Sequence, residues 1–291
     1  MRACCRVFWA SFCALMLLGG SQADAQAFAP KVYAYCVEFG VPGLTPRPPA
    51  ELAKVLREVG FDGGGYPVLT GPALAETLRA ADDAGLQVYL LQTVVQVGPN
   101  AAAPYDPAVL PAIRSLKGRP VTVVVTVEGL KPGDPAGMEP AVKAFRELGA
   151  AAADAGVRIS AYNHLNSWNE SVPVNIELVK KVNHPNVGYN FNVCHWLKVE
   201  GNKDYRPLLR ANPDKLFCVT ICGAQIGAET WINGLIQPLD KGDFDNRAVL
   251  TTLKEIGYKG PVGVMCYGIS GDTREYLQRS MKKWKEWTAN P

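Results

Sequence analysis

Eight β-branched runs alternate with amphipathic segments along this chain, and that rhythm constrains its fold more than any other feature. The runs are "KVYAYCVEF", "FDGGGYP", "LQVYLLQTVV", "VTVVVTVEG", "VRISAYNH", "VGYNFNV", "LFCVTIC" and "PVGVMCYG". Between them lie helical patterns such as "PPAELAKVLREVG", "GPALAETLRAADDAG" and "MEPAVKAFRELGAAAADAG". Several of these end in Gly directly before the next run, as in "REVGFDGG" and "ADAGVRIS", the signature of a helix stop and a short return loop. Strands alternating with helices at this spacing predict a parallel sheet. Eight units in this length predict one closed (β/α)₈ TIM barrel, with an open doubly wound sheet as the alternative. No linker or low-complexity stretch divides the chain.

The first residues read as an address rather than as structure. Arg2 and Arg6 precede the apolar "VFWASFCALMLLGG", and Ala23 and Ala25 in "ADAQ" form a small-residue cleavage site. We expect a signal peptide over 1–25 and the barrel over 26–291, with the mature protein periplasmic or secreted. An uncleaved anchor is the alternative, but the run is short of the roughly 20 residues a spanning helix needs. Cys36, Cys194, Cys218, Cys222 and Cys266 then remain. Their odd number and irregular spacing fit buried thiols better than a disulfide framework or a zinc site. The formal net charge of +3 carries no basic stripe, so nucleic acid is not an expected partner.

In a TIM barrel the polar residues at the C-terminal ends of strands serve the ligand. Here those positions are Glu38 after the first strand, Gln92 on the third, Glu128 on the fourth, and Asn163 and His164 on the fifth. Asn192 and His195 follow the sixth, Gln225 the seventh and Tyr267 the eighth. Glu128, His164 and His195 are the expected acid/base groups, since imidazole exchanges protons near neutrality and a carboxylate can orient it. Trp168, Trp196, Trp231 and Tyr267 fall just past strand ends, where aromatic faces suit the C–H face of a sugar while amides bind its hydroxyls. A small neutral carbohydrate is therefore the expected ligand. Asp240, Asp243 and Asp245 read as structural, with Asp243 or Asp245 capping the following helix. Gly63, Gly64 and Gly65 lack the Lys-Ser/Thr of a phosphate loop.

The motifs "DAGVRISAYNH", "NVGYNFNVCHW", "QPLDKGDFDNRAVLTTLKEIGYKGPVGV" and "YGISGDTREYLQRSMKKWKEW" resemble the xylose isomerase-like TIM barrels, in particular an exported bacterial branch of sugar phosphate isomerase/epimerase-like proteins. The resemblance implies a divalent ion (Mn²⁺, Mg²⁺ or Zn²⁺) at the barrel mouth, held by Glu, Asp, His and Glu from strands five to eight. Aligned that way, this sequence offers Tyr162, Asn192, Thr220 and Met265 (or its neighbour Cys266), while His195 is kept. We therefore expect an altered or lost metal site, with a relocated one built from Glu128, His164 and His195 as the alternative. Two functions stay open: a sugar isomerase/epimerase-like enzyme, and a non-catalytic sugar-binding or accessory barrel.

Overall fold

The computed structural model describes Met1, residues 28–68 and residues 70–289. Apart from Met1, the expected leader over 1–25 lies outside the described residues. Eight parallel strands close on themselves in chain order: β1 (Val32–Tyr35), β2 (Gly63–Tyr66), β3 (Gln87–Gln96), β4 (Thr122–Glu128), β5 (Arg158–Ala161), β6 (Val187–Asn192), β7 (Leu216–Ile221) and β8 (Val262–Met265). Pairing of Val32 with Val262 and Tyr35 with Met265 shuts the barrel. The closed TIM barrel is thus observed, and the open sheet is not.

The outer ring is α1 (Pro49–Val59), α2 (Pro72–Asp83), α3 (Val109–Ser115), α4 (Met138–Ala155), α5 (Val172–Val182), α6 (Val193–Glu200), α7 (Arg206–Ala211), α8 (Asn246–Glu255) and α9 (Thr273–Ala289). The glycine stops behave as read: Gly60 (φ 100°) and Gly156 (φ 71°) end α1 and α4 in the left-handed region. Asp245 caps α8 by accepting from the Ala248 N–H at 3.1 Å. Trp284 is buried on α9 as packing. Among the described residues no helix is long and apolar enough to cross a membrane.

The glycine triplet has a packing cause. Tyr33 and Tyr35 of β1 point into the barrel, and a β-carbon on Gly65 would sit 3.0 Å from both rings. Gly263 of β8 makes the same room, since a β-carbon there would lie 2.6 Å from the Tyr33 ring. Two tyrosines fill a region that branched side chains usually fill. All five cysteines from Cys36 onward are buried free thiols, as the sequence suggested.

Candidate functional site

Asn192 ends β6 and is the N-cap of α6. Its Oδ1 accepts from the Cys194 N–H at 3.1 Å, the His195 N–H at 3.4 Å and the Cys194 thiol at 3.0 Å. That role fixes which end of the amide is which, so Nδ2 donates to the Tyr162 hydroxyl at 2.9 Å. The short α6 that follows throws His195 inward, beside Tyr162 and His164, which follow the end of β5. The His164 and His195 rings are 4.3 Å apart, and Tyr162 meets both edge-on at 5.6 and 5.7 Å.

One residue sets the protonation of both imidazoles. The Leu165 N–H donates to His195 Nδ1 at 3.2 Å, so the neutral ring carries its proton on Nε2. The Leu165 carbonyl, 3.0 Å from His164 Nδ1, can only accept, so that ring carries its proton on Nδ1 and leaves Nε2 as a lone pair. Burial lowers the pKa of His164, against weaker opposing pulls from Leu165 and the Glu128 charge. Burial, and then His164 itself, hold His195 well below the ordinary imidazole value. Both rings are neutral near pH 7, with opposite tautomers.

Tyr162, His164, Leu165 and His195 line a cavity of about 440 Å³ at the C-terminal mouth of the barrel. Its polar members include Tyr35, Gln92, Tyr162, His164, Asn166 and His195, and Phe39, Trp231, Ile236, Met265 and Tyr267 form apolar wall. No Asp, Glu, Lys or Arg is among the described residues that line it. Trp231 packs edge-on against His195 at 5.1 Å, on the long loop after β7. The exposed Tyr267 ring lies over Gly40, where a β-carbon would fall 2.2 Å from it, so only glycine admits this ring. Gln92 accepts from the Tyr35 hydroxyl at 2.8 Å.

Six expected site residues do other work. Trp168 is buried, donates to the Asp134 carbonyl at 2.7 Å and packs where a side chain on Gly137 would stand. Trp196 is buried against Phe191 and Tyr205. Neither is a platform for a sugar. Asn163 ties β5 to β6, accepting from the Asn192 N–H at 3.0 Å and donating to the Asn192 carbonyl at 3.2 Å. Glu38 is buried in an ion pair with Arg47 at 2.7 Å and accepts from Thr273 at 2.8 Å. Gln225 donates to Asp243, closing the loop after β7. Glu128 accepts from Ser167 at 2.8 Å and does not line the cavity, so it reaches His164 only through its charge. Conversely, Tyr35 and Tyr162 line the cavity and the sequence reading gave neither a role in binding. The two-residue spacing of Tyr35 from inward Tyr33 along β1, and Tyr162 in the "AYNH" strand end, were the available signals.

The four positions aligned with the family's metal ligands do not form a set that fits a hard cation. Burial drives the Tyr162 phenol pKa far up, so it stays protonated. The Asn192 oxygen is taken by the α6 cap, and Thr220 and Met265 offer a hydroxyl and a thioether. Among the described residues no group of three or more His, Cys, Asp or Glu is placed to hold an ion. The relocated Glu128–His164–His195 site is therefore not assembled.

A sequence profile described as xylose isomerase-like TIM barrel matches residues 53–287. No curated protein matches the sequence. Among solved structures the chain is similar to 3-keto-D-glucoside 4-epimerase from E. coli, with 17% identity and a TM-score of 0.65 over 89% of this chain and 99% of that one. It is also similar to D-allulose 3-epimerase from Methylomonas sp. in complex with D-allulose, with 15% identity and a TM-score of 0.62 over 89% and 98%. The IOLI protein with a bound zinc atom matches with 19% identity and a TM-score of 0.64 over 89% and 98%.

Proposed function

The chain belongs to the xylose isomerase-like TIM-barrel family, and from that premise we propose that it is an exported protein that moves a proton on a neutral sugar or keto-sugar without the family's usual metal ligands. The observation that carries this reading is the Leu165 clamp, which gives two adjacent imidazoles, His195 buried and His164 half-buried, opposite tautomers. His164 Nε2 is a base, and His195 Nε2–H is a donor. A C–H next to a sugar carbonyl loses its proton to His164, and the bonding pair moves in to form the enolate. His195 hydrogen-bonds the oxygen that gains the charge, and His164 returns the proton to carbon.

Several features support the ligand class. The cavity has no charged lining, which disfavours a phosphorylated sugar, and Trp231 and Tyr267 offer aromatic faces. D-allulose and a 3-keto-D-glucoside are named for two of the similar structures. The donor set argues for an altered or lost metal site rather than a bound Mn²⁺, Mg²⁺ or Zn²⁺. A small molecule rather than nucleic acid is the partner such a cavity suits. The charged and apolar N-terminal stretch supports export to the periplasm or beyond.

The alternative, a non-catalytic sugar-binding barrel, is favoured by one observation: Glu38 and Glu128, the carboxylates expected to serve the ligand, are held by loop residues. Incubating the mature protein with D-allulose, D-tagatose and methyl 3-keto-glucoside in D₂O, after EDTA treatment, separates the two. We expect deuterium at a carbon beside the carbonyl, read by proton NMR, and its loss in His164→Ala. Binding without exchange selects the accessory barrel, and neither binding nor exchange removes the carbohydrate reading.

A further inference from the structure

We propose that Gln92 Nε2–H, Tyr162 O–H and His195 Nε2–H form a three-donor cradle for a carbonyl or enolate oxygen, and that Asn192 and Tyr35 are positioning residues that aim it. The inference deepens the proposed function, on whose ligand class it rests for sugars, and it names the feature recognised: a ketone rather than a hydroxyl.

Each donor is directed by a hydrogen-bond partner on its other side. The Asn192 amide is oriented by the α6 cap, so its Nδ2 occupies one lone pair of the Tyr162 oxygen, and the phenolic proton is left to donate, with the Tyr35 hydroxyl as its other neighbour. The Tyr35 hydroxyl donates to Gln92 Oε1, which leaves the Gln92 amide N–H₂ on the cavity wall. The Leu165 N–H holds His195 Nδ1, so Nε2–H is the free end. All three side chains line the same cavity. Tyr162 and Asn192 are almost wholly buried, so their hydrogen bonds have little competition from water.

A hydroxyl oxygen at that point carries a proton of its own, which has to turn away from the three donors toward the His164 Nε2 lone pair. A ketone accepts only, and its oxygen accepts better still as negative charge develops. This arrangement also accounts for Asn at position 192. An Asp there could cap α6 equally well, but its second oxygen would accept the Tyr162 proton and withdraw that donor from the cavity. The amide keeps the phenol pointing outward; a carboxylate would reverse it.

Matched probes test the cradle. Cyclohexanone and cyclohexanol differ only in the oxygen, as do methyl 3-keto-glucoside and methyl glucoside. Infrared spectra of carbonyl-¹³C-labelled cyclohexanone on the saturated mature protein should show a red-shifted C=O stretch, and titration should show each ketone binding at least about tenfold tighter than its alcohol. Asn192→Asp should reduce both the shift and the preference while the far-UV spectrum and melting temperature stay close to wild type. Tyr162→Phe should do the same, and Asn192→Gln should not restore the preference, because the longer amide cannot cap α6 and reach the phenol together. An unshifted cyclohexanone carbonyl, cyclohexanone that does not bind, or an unchanged preference in Asn192→Asp overturns the cradle. If the sugars fail to bind while cyclohexanone shows the shift and its loss in Asn192→Asp, the cradle stands and the carbohydrate reading falls. If the sugars bind with equal affinity as ketone and alcohol, the cradle falls and the carbohydrate reading stands.

Discussion

Two sides of the barrel mouth carry similar residue types and use them differently. Where β5 meets β6, Tyr162, His164 and His195 each give part of their hydrogen-bonding capacity to the fold and keep the rest for the cavity. Where β1 and β4 end, Glu38 and Glu128 are held by Arg47, Thr273 and Ser167, and neither lines the cavity. The aromatic residues divide the same way: Trp168 and Trp196 are buried under loops, and Trp231 and Tyr267 wall the cavity. A polar or aromatic residue at a strand end serves a ligand only when its neighbours leave part of it unclaimed.

The contrast breaks most visibly at Trp168. Trp168→Ala should cost about 4 kcal/mol of stability, the scale of emptying a buried indole site, with ligand affinity of the folded fraction unchanged. Trp231→Ala, its counterpart on the cavity wall, should leave stability nearly intact and weaken methyl 3-keto-glucoside binding. Urea melts and titration calorimetry on both proteins decide it; equal losses of affinity would restore Trp168 as a platform.

A smaller effect should follow on the β1 flank. Arg47→Ala leaves the Glu38 carboxylate buried with only its hydrogen bonds, and should cost about 3 kcal/mol without altering ligand binding. Adding Glu38→Gln removes the stranded charge and should recover part of that loss. If Arg47→Ala instead abolishes binding at unchanged stability, Glu38 belongs to the ligand after all.

The smallest effect sharpens the histidine side. Both imidazoles have folded-state pKa values below the ordinary one of about 6.5, so above that pH folded and unfolded chains bind the same protons there. Below it the unfolded chain takes up protons that the folded one refuses, and stability declines. The slope should be up to about 1.4 kcal/mol per pH unit for each histidine, until the folded pKa is reached, which comes sooner for His164 than for His195. Denaturation free energies from pH 7.5 to 5 should fall more steeply in wild type than in His195→Gln. Parallel curves would mean that His195 charges freely in the folded state.

The barrel was legible because strands and helices announce themselves by local period and by glycine stops, and eight repeats leave few ways to close. His164 and His195 were legible as strand-end residues. Asn192 was recognised as a ligand position, yet its capping role was missed, although Asn followed by "VCHWLKVE" and Gly201 is a helix start and stop. Trp168 was misplaced for a different reason. Nothing near it in sequence shows that the loop bearing Asp134 and Gly137 folds over it.

What the sequence determined by itself is therefore the scaffold: the order of strands and helices, and which residues end strands. These depend on chain order and residue type alone. What only the tertiary structure decided is direction. Whether Tyr162 donates or accepts, which nitrogen of each histidine bears the proton, and whether Glu38 faces ligand or Arg47 all depend on partners up to 30 residues away or in the neighbouring loop. A hydrogen bond has polarity as well as distance, and that polarity is set by whichever group has no alternative: a backbone N–H, a carbonyl or a helix cap.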